Sequence, residues 1–152
     1  MSTICVSGGF DPLHVGHIKM IRAAKNFVRG SLNPRLVVIL NSDSWLMRKK
    51  GYIFMPFDER REILLSNRNV NGVAWVNDED NTVCEALQRI RPDHFANGGD
   101  RTDENTPEMD LCLKYGIGLV FNIGGGKVQS SSELVARSLG CDIPSSDGVR
   151  NE

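Results

Sequence analysis

At 152 residues, with 18 Lys and Arg against 19 Asp and Glu and a formal net charge of −1, the chain fits one domain that buries on the order of two-thirds of its extended surface without a covalent staple. Balanced, interspersed charge argues against a nucleic-acid binder that relies on a strong phosphate-backbone field, while small anions bound locally stay open. Cys5, Cys84, Cys112 and Cys141 are scattered without a C-x-x-C pair, which disfavours a zinc knuckle or thioredoxin-type motif and predicts reduced thiols acting as small hydrophobes.

Short aliphatic runs alternate with helix-like stretches along the chain, the pattern of a parallel sheet covered by helices. Met1 to Val6 lacks the basic start and long apolar stretch of a signal peptide, and Thr3 to Ser7 reads as the first strand. After a Gly8-Gly9 turn, residues 14 to 28 read as a helix with Ile18, Ile21, Ala24 and Val28 at near-helical spacing. Gly30 to Pro34 reads as a loop. Leu36 to Leu40 reads as a strand buried on both faces. It is the longest compact aliphatic run and falls far short of the ~20 residues of a membrane helix, so a cytoplasmic protein without a membrane partner is expected. Asn41 to Pro56 reads as a long connection.

Residues 58 to 67 read as a helix whose first turn carries Asp58 and Glu59, suiting the helix dipole, and Val73 to Val76 as the third strand. Thr82-Val83-Cys84-Glu85 has capping-box spacing and opens a helix that Pro92 closes. His94 to Ala96 reads as a short fourth strand, with His94 a packed histidine. Thr106-Pro107 places a cap ahead of proline at the first helical position, starting a helix to about Tyr115. Leu119 to Ile123 reads as the fifth strand, ended by Gly124-Gly125-Gly126. Ser130-Ser131-Ser132-Glu133, a second capping-box spacing, opens a last helix to about Leu139. The predicted architecture is a single α/β domain over residues 1–139, a Rossmann-like five-stranded parallel sheet with helices on both faces. Residues 140–152 are expected to form a flexible polar tail.

Ligands of such folds bind beyond the carboxyl ends of the strands, and the loops there hold the interesting residues. Gly8 and Gly9 let the backbone turn sharply and a phosphate or ribose approach closely. His14 and His17 fall on neighbouring sides of the first helical turn, with Gly16 leaving space between them. The free N–H groups and positive end of that turn favour a polyphosphate, and two imidazoles there can donate to phosphate oxygens as charge develops. A zinc site at His-x-x-His is disfavoured because further ligands are not grouped nearby.

The stretch from Gly8-Gly9 through Phe10-Asp11-Pro12-Leu13-His14-Val15-Gly16-His17 resembles the G-x-F-D-x-x-H-x-G-H signature of the cytidylyltransferase-like nucleotidyltransferases, and matches it at every fixed position. Over about residues 3 to 137 the chain is similar to glycerol-3-phosphate cytidylyltransferases and to the nucleotidyltransferase domain of ADP-heptose synthesis enzymes.

The resemblance implies that His14 and His17 bind the triphosphate and stabilise the transition state, with Gly8, Gly9, Phe10 and Gly16 shaping the nucleotide site. It implies a phosphate-contacting lysine after the second strand, where Lys49 and Lys50 both stand. Arg60 occupies the place of a recurrent arginine; Arg60 and Arg68 share one helical face if the helix persists, and a guanidinium fork suits an acceptor phosphate, the competing reading being surface ion pairs. Gly98-Gly99-Asp100 resembles the family's loop around the nucleoside, with Gly98 and Asp100 as nucleotide contacts. Ser130, Ser131 and Ser132 resemble the family's serine and threonine run at the phosphates. Lys127 stands near where glycerol-phosphate enzymes carry an arginine that this chain lacks. Asp11 is read as fixing the glycine turn through backbone hydrogen bonds, with placement of a hydrated metal as the other reading.

The expected reaction is in-line attack of an acceptor phosphate on the α-phosphorus of a nucleoside triphosphate, with pyrophosphate as leaving group. The acceptor is a phosphorylated small polyol or sugar phosphate, already ionised, so positioning and charge stabilisation suffice. Mg2+ bound to the triphosphate is the expected cofactor, keeping most of its water and few protein ligands. CTP is narrowly favoured over ATP, the alternative being an adenylyltransferase acting on a heptose-type sugar phosphate. The resemblance also implies a homodimer. Two readings from other classes compete: a non-catalytic nucleotide sensor on the same scaffold, and a tRNA-related module, for which the chain is too short.

Overall fold

A computed structural model describes residues 2–98, 106–125 and 130–140. Five strands, β1 (Ser2–Gly8), β2 (Pro34–Leu40), β3 (Gly72–Ala74), β4 (His94–Gly98) and β5 (Gly118–Ile123), form one sheet in the order β3-β2-β1-β4-β5. Every pairing is parallel. The chain builds outward from β1 to β3, then returns to place β4 on the other side of β1. The order therefore reverses beside β1, where a crevice opens at the carboxyl ends of the strands.

Strand periodicity divides the core. Ile4 and Val6 of β1 join Leu36, Val38 and Leu40 of β2 on one face, against Ile21, Ala24 and Val28 of α1 (Val15–Val28). Cys5 and Ile39 point to the other face, with Ala86 and Leu87 of α4 (Cys84–Ile90), Phe95, and Cys112 of α5 (Pro107–Tyr115). Burial pushes the Cys5 thiol up to about 12 and the Cys112 thiol up to about 11, so both stay protonated and act as hydrophobes.

The largest departure from the sequence reading is at Asn41 to Pro56. It is not a plain connection, because α2 (Asp43–Lys50) lies inside it. Ser42 caps α2 by accepting the Trp45 N–H at 3.0 Å, Asp43 sits in the first turn, Arg48, Lys49 and Lys50 in the last, and Gly51 closes it at φ 84°. These are ordinary start and stop signals. They surround a helix whose eight residues bury a single side chain, Leu46, so no apolar periodicity announces it.

The helix expected over 58 to 67 is α3 (Phe57–Leu65), two residues shorter at its end. The Thr82–Glu85 capping box does not form. Val83 is the N-cap, and Glu85 instead accepts the Asn77 N–H at 3.0 Å and pairs with Arg89. Thr106 does cap α5, accepting from Met109, and Ser130 caps α6 (Ser131–Ser138), accepting from Glu133. The connection from β5 toward α6 needs glycine. Gly124 has φ 80°, and a Cβ there would stand 3.0 Å from the Met20 Cα on α1.

Candidate functional site

An open pocket of about 160 Å³ lies at the carboxyl edge of the sheet. The turn after β1 forms its floor through Gly9, Phe10 and Asp11, and His17 of α1 closes the back. Trp45, Leu46, Lys49 and Lys50 of α2 make one wall, Ser130, Ser131 and Ser132 at the start of α6 another. The amino ends of two helices thus border one pocket, presenting the positive ends of two dipoles.

His14 and His17 are held as a pair. His14 is the N-cap of α1, and its Nδ1 accepts the Gly16 N–H at 3.1 Å. The Nδ1 of His17 in turn accepts the His14 N–H at 3.2 Å. The rings stack with centroids 3.8 Å apart, and Phe10 meets His17 edge-on at 4.6 Å. A neutral imidazole whose Nδ1 accepts carries its proton on Nε2, so the backbone sets the tautomer in which Nε2–H is the donor. Burial first, then the nearness of His14 and Lys50, lowers the His17 pKa from 6.5 to about 3. His17 is therefore neutral across the physiological range. It lines the pocket, with His14 stacked beside it.

The glycines act by leaving room. A Cβ on Gly9 would stand 3.0 Å from the Leu46 Cδ2 and 3.2 Å from the Trp45 indole, so glycine lets α2 close on the turn. A Cβ on Gly8 would meet the Phe10 ring at 3.1 Å. Phe10, with φ 52° and 3% exposure, directs its ring into the core, and contributes to the floor from beneath. Asp11, 1% exposed, accepts the Phe54 and Met55 N–H groups at 2.8 and 2.5 Å, which ties the segment after α2 to the glycine turn.

The two lysines part company. Lys50 is tethered, its ammonium donating to the Asp11 carbonyl at 2.7 Å and lying 3.7 Å from the Asp11 carboxylate and 4.8 Å from the centre of the Tyr52 ring. Desolvation lowers its pKa, against the pull of Asp11. Lys49 is exposed, with Nζ 5.2 Å from the centre of the Trp45 ring.

Arg60 corrects an expectation. Its side chain is wholly enclosed, donating to the carbonyls of Met55 (2.9 Å), Gly9 (2.8 Å) and Asn41 (2.8 Å) and to the Asp43 carboxylate (2.6 Å). Four bonds from a group with five N–H donors leave little for an acceptor phosphate; Arg60 instead fastens the glycine turn to the start of α2. Arg68 is corrected too. The helix ends at Leu65, and exposed Arg68 sits in the turn before β3, three residues ahead of Asn71, which bonds both backbone groups of Leu36 near the start of β2. That is the opposite edge of the sheet from the pocket.

Ser131 gives its hydroxyl to the Pro12 carbonyl at 2.7 Å, so it joins α6 to the glycine turn instead of offering that proton to phosphate. Gly98 ends β4 opposite Ile123, at the carboxyl edge beside a register shift. Asp100, Lys127 and the 140–152 tail apart from residue 140 lie outside the described residues.

Sequence reading missed three contributors. Trp45 and Leu46 came with the unrecognised α2. Asp78, 3% exposed, accepts from Asn41 Nδ2 (3.1 Å) and from the Ser42 N–H (2.9 Å) and hydroxyl (2.6 Å), holding the start of α2. Nothing local in Asn77-Asp78-Glu79 distinguishes it from a surface carboxylate.

Residues 5–115 match the cytidylyltransferase-like family model. The bifunctional protein HldE of Syntrophotalea carbinolica is 34% identical over 142 residues, 91% of this chain and 27% of that protein. HldE of Streptomyces coelicolor is 35% identical over 139 residues, 90% of this chain and 28% of that protein. The chain thus spans about a quarter of the length of these curated relatives. Among solved structures, a lipopolysaccharide core biosynthesis protein from Thermoplasma volcanium superposes with a TM-score of 0.61 at 24% identity, covering 80% of this chain and 94% of that one. A macrolide-efflux protein from Streptococcus pneumoniae gives 0.61 at 22% identity, covering 90% and 52%. These two likenesses concern the fold.

Proposed function

The chain belongs to the cytidylyltransferase-like family, and from that premise we propose that it transfers a nucleoside monophosphate from a nucleoside triphosphate to a small phosphorylated acceptor, releasing pyrophosphate. The observation that carries the reading is the interlocked cap at the start of α1, where the His17 Nδ1 accepts the His14 N–H and the His14 Nδ1 accepts the Gly16 N–H, across a pocket from the amino end of α6. That arrangement supplies fixed donors where negative charge accumulates, at no reorganisation cost during reaction.

In this mechanism the acceptor phosphate, ionised at neutral pH, attacks the α-phosphorus while pyrophosphate departs on the opposite side. His17 donates from neutral Nε2–H to the developing charge. Lys49 draws a phosphate to the α2 wall. Lys50 stiffens the glycine turn through Asp11 and adds positive field. No general base is required, so the work is positioning and charge stabilisation.

A magnesium ion accompanying the triphosphate fits this site only as the nucleotide's own ligand. Among the described residues no three His, Cys, Asp or Glu side chains cluster to hold a metal, and both Asp11 oxygens accept backbone N–H groups. Its coordination would come from phosphate and water, and it would screen the phosphates.

Similarity to enzymes of ADP-heptose synthesis favours ATP and a heptose-type sugar phosphate. The second reading, CTP with a polyol phosphate, is supported by the family model. A pyrophosphate-release screen crossing four triphosphates with phosphorylated sugars, polyols and amino alcohols decides between them. Release with one pair, abolished in His17→Ala, is expected. Nucleotide binding without release across the panel would replace the enzyme by a nucleotide sensor.

A further inference from the structure

The α2 wall carries a residue that phosphate chemistry alone does not explain. Trp45 and Lys49 are four positions apart on α2, hence on one face of the helix, and both line the pocket. The Lys49 ammonium stands over the indole, and the Cζ3 edge of that indole reaches to 3.2 Å from where a Gly9 Cβ would be. Trp45 is half-buried, pressed on the glycine turn and open toward the pocket it lines.

Resting on the nucleotidyl-transfer reading, we propose that Trp45 selects the acceptor: its indole takes the carbon skeleton of a phosphorylated sugar or polyol while Lys49 takes the phosphate. Two anionic reactants must meet in this pocket, and it has two positive ends. The amino ends of α1 and α6 form one, Lys49 and Lys50 on α2 the other. The sheet order separates them further. α2 follows β2, which lies across β1 from β4 and β5. A nucleoside lying toward β4 and β5 leaves the Trp45 side to the second substrate.

An ammonium is a point charge on a flexible stem and holds any phosphate about equally well. Discrimination among acceptors must come from the shape beside it. A flat, rigid ring fixed against Gly9 suits the C–H face of a sugar or polyol and leaves hydroxyl groups free toward water. Inorganic phosphate has no such face.

The chain has two tryptophans. Trp75 is 59% exposed under Arg89, outside the residues lining the pocket, so Trp75→Phe leaves Trp45 as the sole emitter. Emission of that variant is titrated with glucose 1-phosphate, glycerol 3-phosphate, the acceptor that supports turnover and inorganic phosphate, then with ATP and CTP. A saturable change with the productive acceptor, larger than any produced by inorganic phosphate at Lys49, is expected. Trp45→Ala should raise the acceptor KM about tenfold and leave the nucleotide KM within twofold, with Trp45→Phe intermediate. Trp45→Leu, which keeps volume against Gly9, replaces the alanine variant if that one unfolds. A larger shift in nucleotide KM would assign the indole to the base and overturn the proposal. So would an acceptor KM within twofold of the parent's while the parent turns over. Absence of pyrophosphate release by the parent with any pair overturns the functional reading itself, and the acceptor role with it.

Discussion

Ser131 and Pro12, 119 positions apart in the chain, are joined by a 2.7 Å hydrogen bond from the Ser131 hydroxyl to the Pro12 carbonyl. Through it the last helix holds the turn that leads into the first. The pocket's geometry therefore depends on a few long-range ties, made by Ser131, Arg60, Asp11 and Asp78, as much as on the residues that face it.

His17→Ala should lower turnover by roughly 10²–10³ with little change in nucleotide affinity, as for removal of a preorganised donor. His14→Ala should lose a similar factor and also the α1 cap, about 1 kcal/mol. His14→Asn restores a capping acceptor and so separates the two effects. Steady-state kinetics with urea unfolding reads both, and near-parental turnover in His17→Ala and His14→Asn removes the pair from the mechanism.

Arg60→Ala should unfold at markedly lower urea, by about 3–5 kcal/mol, because the Asp43 partner and three carbonyls lose a buried guanidinium. Arg68→Ala should stay within about 0.5 kcal/mol and twofold in activity. If Arg60→Ala is as stable as the parent but has a raised acceptor KM, Arg60 is a phosphate ligand after all.

The pH dependence follows from the lowered His17 pKa. Above pH 6.5 His17 is neutral in both folded and unfolded chains and contributes no slope. Between 6.5 and about 3 the unfolded chain takes up a proton that the folded one refuses, so stability falls as pH falls, by at most ~1.4 kcal/mol per pH unit from this group. NMR of the His17 ring should show the Nε2–H tautomer from pH 8 down to 5, and a midpoint near 6.5 would sink the assignment.

Gly124→Ala should destabilise by at least ~1–2 kcal/mol, since alanine is strained at φ 80° and its Cβ would press on the Met20 backbone. Gly125→Ala, at φ 84° with open space around it, pays the strain alone. Thermal unfolding of the two variants should rank them in that order.

What was legible in the sequence was whatever local chemistry repeats. Strands β1, β2 and β5 appear as aliphatic runs, β3 forms at Gly72–Ala74 instead of Val73–Val76, and Thr106-Pro107 and Ser130 announce helices that form where expected. The His14 and His17 pair was readable because a fixed spacing on one helical turn carries its own geometry. The reading failed where function and packing use the same residue type. An arginine near a phosphate site and an arginine knitting three loops look identical until burial is known, which is why Arg60 was misplaced. Arg68 was misplaced because the helix stopped at Leu65, turning a same-face argument into a residue at the far edge. Helix α2 escaped because its single buried side chain gives no period, though Ser42, Asp43 and Gly51 mark its ends.

The pocket is bounded on one side by residues 9 to 50 and on the other by residues 130 to 132. Synthesis proceeds from the amino end. A nascent chain can therefore complete all five strands and both histidines of the pair and still lack one of the two helix starts that border the pocket. On the proposed function, capture of triphosphate by growing chains should appear only after α6 has emerged, making nucleotide affinity a reporter of completed folding.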